Sequence, residues 1–532
     1  MLLGTHGFDL VSGEPVLGDV KVFVKRRIRA GARVWDRARP AARSHPVGDD
    51  ARLPVQILTE TLTDVLEALE DERIPAWSFG RETDSSGKVG VHAADRERVL
   101  RALGRLGDRG YWVRIKKRLY DREFPVAGLD ASKLAPFDVL SLFRPRRMND
   151  SSWTIRAQFG CELEFWATEE IDGAMYLVAP RENAASKQLP LADFDLVPTT
   201  WHGVTVPTPR VFTERMVDDI AFPIDVVYTW VDGSDPRWLE KRARAEAEEK
   251  GLEFHPEATM ASRFADHEEL RYSLRSLEYF APWVRNIYLV TDDQVPAWLD
   301  TDHPRIRLVD HRDIFTDPSN LPTFNSNAII SSLHHIEGLS EHYLFMNDDV
   351  FLGRWVTPDR FFTPSGLAKV SPANNRRPFA HAHVGEEPHL NLTHNMRELL
   401  RERFGITISR AVRHTPHPQL RSVLEEIEST FRDRFAQTWS HRFRHHDDIV
   451  ADQLFHYYAQ LTGRAVAIPL RYEYIDLKLG ERAQLDALLK RRDRDVFCVN
   501  DTPYAGTDPI SDHAVAEFLQ AYFPLPSSFE RT

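Results

Sequence analysis

From residue 224 onward the chain repeats one pattern four times: a short apolar run, rich in β-branched and aromatic residues, that stops abruptly in acids or amides. "IDVVYTW" runs into "VDGSD", "NIYLVT" into "DDQ", "RIRLVD" into "HRD", and "HYLFM" into "NDD". Helical spacing separates the runs. Leu270, Leu274 and Leu277 form one face of a helix starting near Asp266, with Asp266 and Glu269 spaced as a capping box and Pro282 as its stop. Ile329, Leu333 and Ile336 mark a second helix that stops at Gly338. Strands alternating with helices leave little choice of architecture beyond a parallel or mixed α/β sheet. In such sheets the ligand crevice lies outside the carboxyl ends of the strands, so four polar strand ends predict one pocket.

Within "YLFMNDDVFLG" the two aspartates are adjacent. If the strand simply continued, they would point to opposite faces. A bulge or tight turn would instead let Asn347, Asp348 and Asp349 aim oxygens at a common hard cation, for which Mg²⁺ (or Mn²⁺) is suited. The plain alternative is a polar turn held by its own Asx hydrogen bonds. Downstream, "RHTPHPQL" sets His414 and His417 ahead of a predicted helix with Pro418 in its first turn, and "FRHHDD" sets Arg444 just ahead of another that ends near Gly463. Helix starts attract anions, so both positions read as places where a phosphate is welcome. His445, His446, Asp447 and Asp448 lack the ligand spacing of a structural zinc site. "CVND", ending in Asp501, repeats the Asn-Asp ending and is placed to close the pocket from the other side.

The 532 residues exceed what one hydrophobic core usually supports, and the texture divides them into a basic arm at 1–50, an accessory α+β domain at 51–215, a catalytic domain at 220–510 and a C-terminal tail at 511–532. The accessory region carries two amphipathic helical patterns and the alternating stretches "SWTIRAQFGCELEFWAT" and "AMYLVAP", read as antiparallel strands; it offers no catalytic constellation. The Pro-rich "VPTTWHGVTVPTPRVFT" reads as a linker. A net charge of −12 speaks against nucleic acid as a partner. Residues 20–43 nonetheless hold nine Lys and Arg against Asp36 alone, either a solvated arm or a contact for an anionic membrane surface. The two cysteines, Cys161 and Cys498, read as buried thiols in a reducing compartment. No apolar run of membrane-spanning length and no signal-peptide pattern occur, which makes the cytoplasm, with peripheral membrane contact as an addition, the expected location.

Across residues 222–505 these blocks, "IDVVYTWVDGSDPRW", "LRYSLRSLEYFAPWVRNIYLVTDDQ", "LPTFNSNAI", "YLFMNDDVFLG", "HTPHPQL", "FRHHDD" and "FCVNDT", resemble the Stealth family of sugar-phosphate transferases. The resemblance implies a GT-A-like (Rossmann-type) mixed-sheet catalytic domain. Its implied reaction moves a hexose-1-phosphate, GlcNAc-1-phosphate first among candidates, from a nucleotide-diphosphate sugar such as UDP-GlcNAc to a poly- or oligosaccharide hydroxyl. The product is a phosphodiester and the leaving group a nucleoside monophosphate. By the same resemblance Tyr228, Trp230, Asp232, Gly233, Arg271, Arg275, Asn325 and Asn327 would bind the donor. Asp348, Asp349 and Asp501 would hold the metal, while His414, Arg444 and Asp349 would carry catalysis. The chain departs from the family pattern in having Ile330 where a Glu and His335 where an Arg are common. His414 is the natural base for the acceptor hydroxyl and Asp349 its competitor. The rival readings are a conventional GT-A glycosyltransferase releasing nucleoside diphosphate and a non-catalytic polysaccharide-binding protein. The sugar, base, acceptor and oligomeric state are left open by these motifs.

Overall fold

A computed structural model describes residues 49–117, 120–149, 151–249, 268–500 and 510–531. The basic arm, Asp266 and Asp501 therefore lie outside the described residues. Residues 49–532 cluster into one compact unit, so the division near residue 220 marks a change of pattern rather than a break in the core. None of the described helices is long and apolar enough to cross a membrane.

The first part of this unit is built on a twisted sheet of eight strands in which Cys161–Ile171 is central, pairing in parallel with Gly87–His92 and antiparallel with Ala174–Val178 and Val139–Phe143. Helix Pro54–Asp71 carries Ile57, Leu58, Leu62 and Val65 on one buried stripe, and it packs across this sheet. The Pro-rich stretch read as a linker is a hairpin, Leu196–Trp201 against Val204–Pro209. His202 and Gly203 both take positive φ at its tip, as the tight turn of such a hairpin requires. The sheet has only these two strands, and prolines are tolerated on edges where no ladder donor is needed.

The second part begins with β1 (Ile224–Thr229). Helix α1 (Glu269–Phe280) follows, then β2 (Ile287–Thr291), β3 (Ile306–Asp310) and β4 (His342–Met346). These four strands are mutually parallel, and β6 (His417–Leu420) adds antiparallel to the edge of β4, giving the order β3-β2-β1-β4-β6. The mixed α/β sheet expected from the sequence is thus present. The chain walks outward from β1 to β3 and then crosses to the other side of β1, so the switch point lies between β1 and β4. Between β3 and β4 the predicted single helix is broken into a short helix, Ser326–Ile330, and a 3₁₀ turn, Leu333–His335.

The Asn-Asp-Asp stretch is a tight turn, closed by Val350 N–H donating to the Asn347 carbonyl (3.2 Å). It does more than connect two halves of a strand. The run after it, β5 (Val350–Leu352), leaves the main sheet and pairs antiparallel with β8 (Val496–Asn500), which in turn pairs in parallel with β7 (Tyr472–Asp476). Two adjacent carboxylates are tolerated between buried runs because the turn stands at the junction of two sheets.

The two parts share their apolar core. Trp153 stacks on Tyr279 at 5.8 Å and 23°, the Trp355 indole donates to the Thr83 carbonyl (2.9 Å), and the Asn149 amide donates to the Pro524 carbonyl (3.1 Å). Residues 511–532, read as a tail, are built in as well. Helix Asp512–Tyr522 buries Val515, Phe518, Leu519 and Tyr522, and the buried Glu530 carboxylate receives both Arg271 and Arg275.

Candidate functional site at the carboxyl ends of the strands

The parallel register brings Trp230, Thr291, Asp310 and Asn347 to one edge of the main sheet. On β6 the direction is reversed, so its first residue, His417, pairs with Phe345 near the end of β4, and His414 precedes it at that same edge. His414 and Asp349, 65 positions apart in sequence, meet there. One oxygen of Asp349, a ring nitrogen of His414 and the Cys498 sulfur lie within 4.8 Å of one another.

Asp349 is held from one side only. Its Oδ2 accepts from the Asn500 amide (2.7 Å) and the Cys498 thiol (3.3 Å), and its main-chain carbonyl accepts from Val499 N–H (3.1 Å). Burial drives the Cys498 pKa well above the ordinary thiol range, and the negative Asp349 adds to that, so the thiol stays a donor. Oδ1 is shielded from solvent and has no hydrogen-bond partner. A screened carboxylate oxygen without a partner is costly unless a ligand completes it. Asp348 sits in the same turn, near enough to act electrostatically on Cys498 and Tyr228.

His414 is exposed to solvent although protein crowds around its ring. Desolvation lowers its pKa, and the nearby Asp349 carboxylate opposes that without reversing it. The ring is therefore neutral at pH 7 and able to accept a proton. Its neighbour is the Tyr474 ring, 5.7 Å away, whose hydroxyl donates to Asn500 Oδ1 (3.1 Å).

The helix-start argument for His414 and Arg444 does not survive. His417 and Pro418 lie in strand β6, and the helix that follows, α2 (Arg421–Thr430), begins seven residues after His414; α3 (Ala451–Leu461) likewise begins seven after Arg444. A side chain that far from a helix end gains nothing from its dipole. Arg444 is positioned differently: its Nε and Nη2 both donate to the Ser326 hydroxyl (3.1 and 2.5 Å), and among the described residues it pairs with no carboxylate. A guanidinium left without a counter-charge is a ready anion site. The loop behind it leads into α3, whose first turn supplies the Asp452 carboxylate that receives His417 Nδ1 (2.7 Å).

Several residues that the resemblance assigns to the donor have other partners. Asn325 and Asn327 donate their amides to the buried Asp448 Oδ2 (2.8 and 3.1 Å), which also accepts from His445 N–H, while Oδ1 receives His441. A buried carboxylate must be saturated, and the two asparagines are spent on that, which fixes Ser326 between them. Tyr228 points inward, its hydroxyl 2.7 Å from the Ser273 hydroxyl, and burial raises its pKa. Arg275 is 5% exposed and grips Glu530 in a two-point pair (2.7 and 2.8 Å), with Arg271 on the same carboxylate (2.5 Å). Burial alone would raise the Glu530 pKa; Arg275 overrides it and holds the group below the usual range. Trp230, Asp232 and Gly233 do stand at the end of β1. Asp232 closes its own turn by accepting from Ser234, and its N–H and carbonyl both bind the Gln294 side chain. Cys498, Asn500 and Tyr474 have no signal of their own beyond the "CVND" ending.

A separate open cavity of about 560 Å³ flanks the ends of β2 and β3, where Arg237, Lys241, Arg244 and Arg312 face an equal number of carboxylates. With balanced charge it does not select an anion, and none of Asp349, His414 or Arg444 lines it.

Fold and site together define an α/β protein built on a mostly parallel sheet, with Asp349, His414 and Cys498 gathered at the carboxyl ends of its strands. The chain belongs to the Stealth family: that family's conserved regions 1, 2, 3 and 4 match residues 222–250, 263–370, 413–460 and 486–532. An exopolysaccharide phosphotransferase of Streptomyces coelicolor is 40% identical over 496 residues, covering 90% of this chain and 83% of the relative. A second from that organism is 39% identical over 97% of this chain, which spans only 55% of that relative's length. The exopolysaccharide phosphotransferase CpsY of Mycobacterium tuberculosis is 38% identical over 75% of this chain and 74% of its own. Among solved structures, galactosyltransferase LgtC aligns with 57% of this chain and 96% of its own at 12% identity and a TM-score of 0.30. The fold assignment rests on the sheet itself.

Proposed function

We propose that the protein is a sugar-1-phosphate transferase that carries hexose-1-phosphate from a nucleotide-diphosphate sugar to a saccharide hydroxyl. The observation that carries this reading is the half-satisfied Asp349, which stands past the end of β4 beside a neutral, accessible His414. In the reaction the acceptor oxygen bonds to the sugar-linked phosphorus, the bond from that phosphorus to the bridging diphosphate oxygen breaks, and nucleoside monophosphate leaves. His414 takes the hydroxyl proton. Arg444 offsets charge on the transferred phosphoryl group, and Ser326 aims the guanidinium. Asn500 and Cys498 hold one Asp349 oxygen so that the other is presented in a fixed direction. The residues fit a hard divalent cation: an orphaned carboxylate oxygen in a turn with a second carboxylate suits Mg²⁺, which keeps waters and phosphate oxygens as its other ligands. Asp349 and Asp348 would hold it, and when bound it supplies charge neutralisation at the diphosphate.

The names of the relatives favour phosphate transfer over sugar transfer. UDP-GlcNAc is the first donor to try, a saccharide the acceptor, and the cytoplasm the site of action, with the nine basic residues of 20–43 against an anionic membrane. The deciding experiment incubates the purified chain with a panel of nucleotide sugars and acceptor saccharides and identifies the nucleotide released. Monophosphate together with phosphorus in the saccharide product supports the proposal. Diphosphate release would establish the conventional glycosyltransferase instead.

A further inference from the structure

On the far side of the Ser326–Ile330 segment, a second cluster has no part in this chemistry. His334 Nε2 and His335 Nε2 both approach a single oxygen of Glu428, at 2.6 and 2.7 Å. His334 is fully buried; His335 and Glu428 are partly so. The His335 Nδ1 lies 2.8 Å from the Ile314 carbonyl. A carbonyl can only accept, so Nδ1 carries the hydrogen and, in the neutral ring, Nε2 presents its lone pair to the carboxylate. Two imidazole nitrogens can share one carboxylate oxygen either as N–H donors, with His335 protonated on both nitrogens, or as lone-pair donors around a metal ion, and no Lys or Arg among the described residues pairs with Glu428. Phe435 and Trp439 wall the rings at 6.4 and 5.9 Å. Glu425, one turn earlier on α2, acts electrostatically on both histidines.

The geometry points to a binding site for one divalent transition-metal ion of the Zn²⁺ class, with His334 Nε2, His335 Nε2 and the Glu428 carboxylate as ligands. Two imidazoles and a carboxylate are a donor set that Zn²⁺ accepts, and the Nδ1 bond from His335 to a backbone carbonyl is the usual second contact that aims a ligating ring. Tetrahedral ligands at Zn²⁺ distances stand about 3.3 Å apart, so the three atoms need only spread by about 0.6 Å, within reach of a small rotation of the Glu428 side chain. The metal would tie the 3₁₀ turn Leu333–His335 to α2 (Arg421–Thr430). That turn follows directly on the short helix bearing Ser326, the residue that aims Arg444, so the ion's role is to brace one side of the candidate site.

The test uses the full chain, stripped with a chelator and titrated with Zn²⁺ and, separately, Co²⁺. Expected are one equivalent bound with micromolar affinity or better, a visible tetrahedral Co²⁺ spectrum displaced by Zn²⁺, and a higher thermal midpoint with Zn²⁺. His335→Gln and Glu428→Gln should each weaken binding at least about tenfold and abolish the spectrum. The His446→Ala and Asp349→Asn chains, altered in the two other clusters able to hold a metal, should keep it. Glu428→Gln retains a hydrogen-bonding side chain, so its folding can be checked even if His335→Gln fails to fold. The absence of stoichiometric Zn²⁺ or Co²⁺ binding by wild type, or its full retention in Glu428→Gln, would overturn the assignment. Neither result bears on whether monophosphate is released.

Discussion

Asp225 and Asp349 stand at opposite ends of the same parallel sheet, and their hydrogen bonding separates their roles. Asp225, near the start of β1, has every oxygen engaged: Arg285 grips both (2.8 and 2.5 Å), and the main-chain N–H groups of Asn286 (3.1 Å) and Ser340 (2.8 Å) take one each. It clamps the amino ends of three strands. Asp349, past the end of β4, has one oxygen doubly held and one with nothing. A saturated buried carboxylate stabilises a fold; Asp452 and Asp495 also keep one unpartnered oxygen, but Asp349 alone of these stands beside His414 and Cys498 at the end of β4.

The largest expected effect tests that contrast directly. Asp349→Asn should lower turnover by about 10²–10³-fold while leaving the denaturation midpoint nearly unchanged. Asp225→Ala should do the reverse, costing about 3 kcal/mol of stability in urea unfolding while each folded molecule keeps its activity. If Asp225→Ala is as stable as wild type, or Asp349→Asn unfolds with normal residual activity, the contrast collapses. Arg444→Ala and His414→Ala come next, each expected to reduce kcat by roughly 10²-fold with folding intact, and wild-type turnover in either removes that residue from the mechanism.

A smaller effect concerns another buried pair. Arg275→Met should destabilise by about 2–3 kcal/mol and leave KM for the donor unchanged, because Glu530 and the Phe523 carbonyl already engage that guanidinium. A donor KM raised severalfold in a variant of normal stability would return Arg275 to the donor site. The last prediction is the position of a pH limb. Since desolvation lowers the His414 pKa, the base form persists below the ordinary histidine value, and kcat/KM should fall on acidification only below about pH 6.5. A limb that disappears in His414→Ala assigns it; a limb centred above pH 7 would contradict a lowered pKa.

Much of the frame was legible in the sequence. Apolar runs with polar ends located β1 to β4 and the Asn-Asp-Asp turn at the carboxyl edge, while the strand order and register came from the fold; His414 and Arg444 were singled out by a helix-start argument that failed and by the family blocks around them. Local readings failed where tertiary pairing outweighed local pattern. Proline near His417 suggested a helix start, yet the edge of β4 drew those residues into a strand. Prolines around His202 suggested a linker, yet a positive-φ turn made a hairpin.

What the sequence determined by itself was the architecture and the edge of the sheet where chemistry collects, because periodicity and chain-local turn chemistry fix which residues share a face. Which partner each polar side chain takes was decided only by the tertiary structure. Arg275 meets Glu530 across 255 residues, Asn325 meets Asp448 across 123, and Asp349 meets Asn500 across 151. A guanidinium or amide reads the same in sequence whether it awaits a phosphate or is already spent on a carboxylate. The requirement that buried polar groups be satisfied is met by whatever the fold brings opposite, and in this protein it left one Asp349 oxygen open.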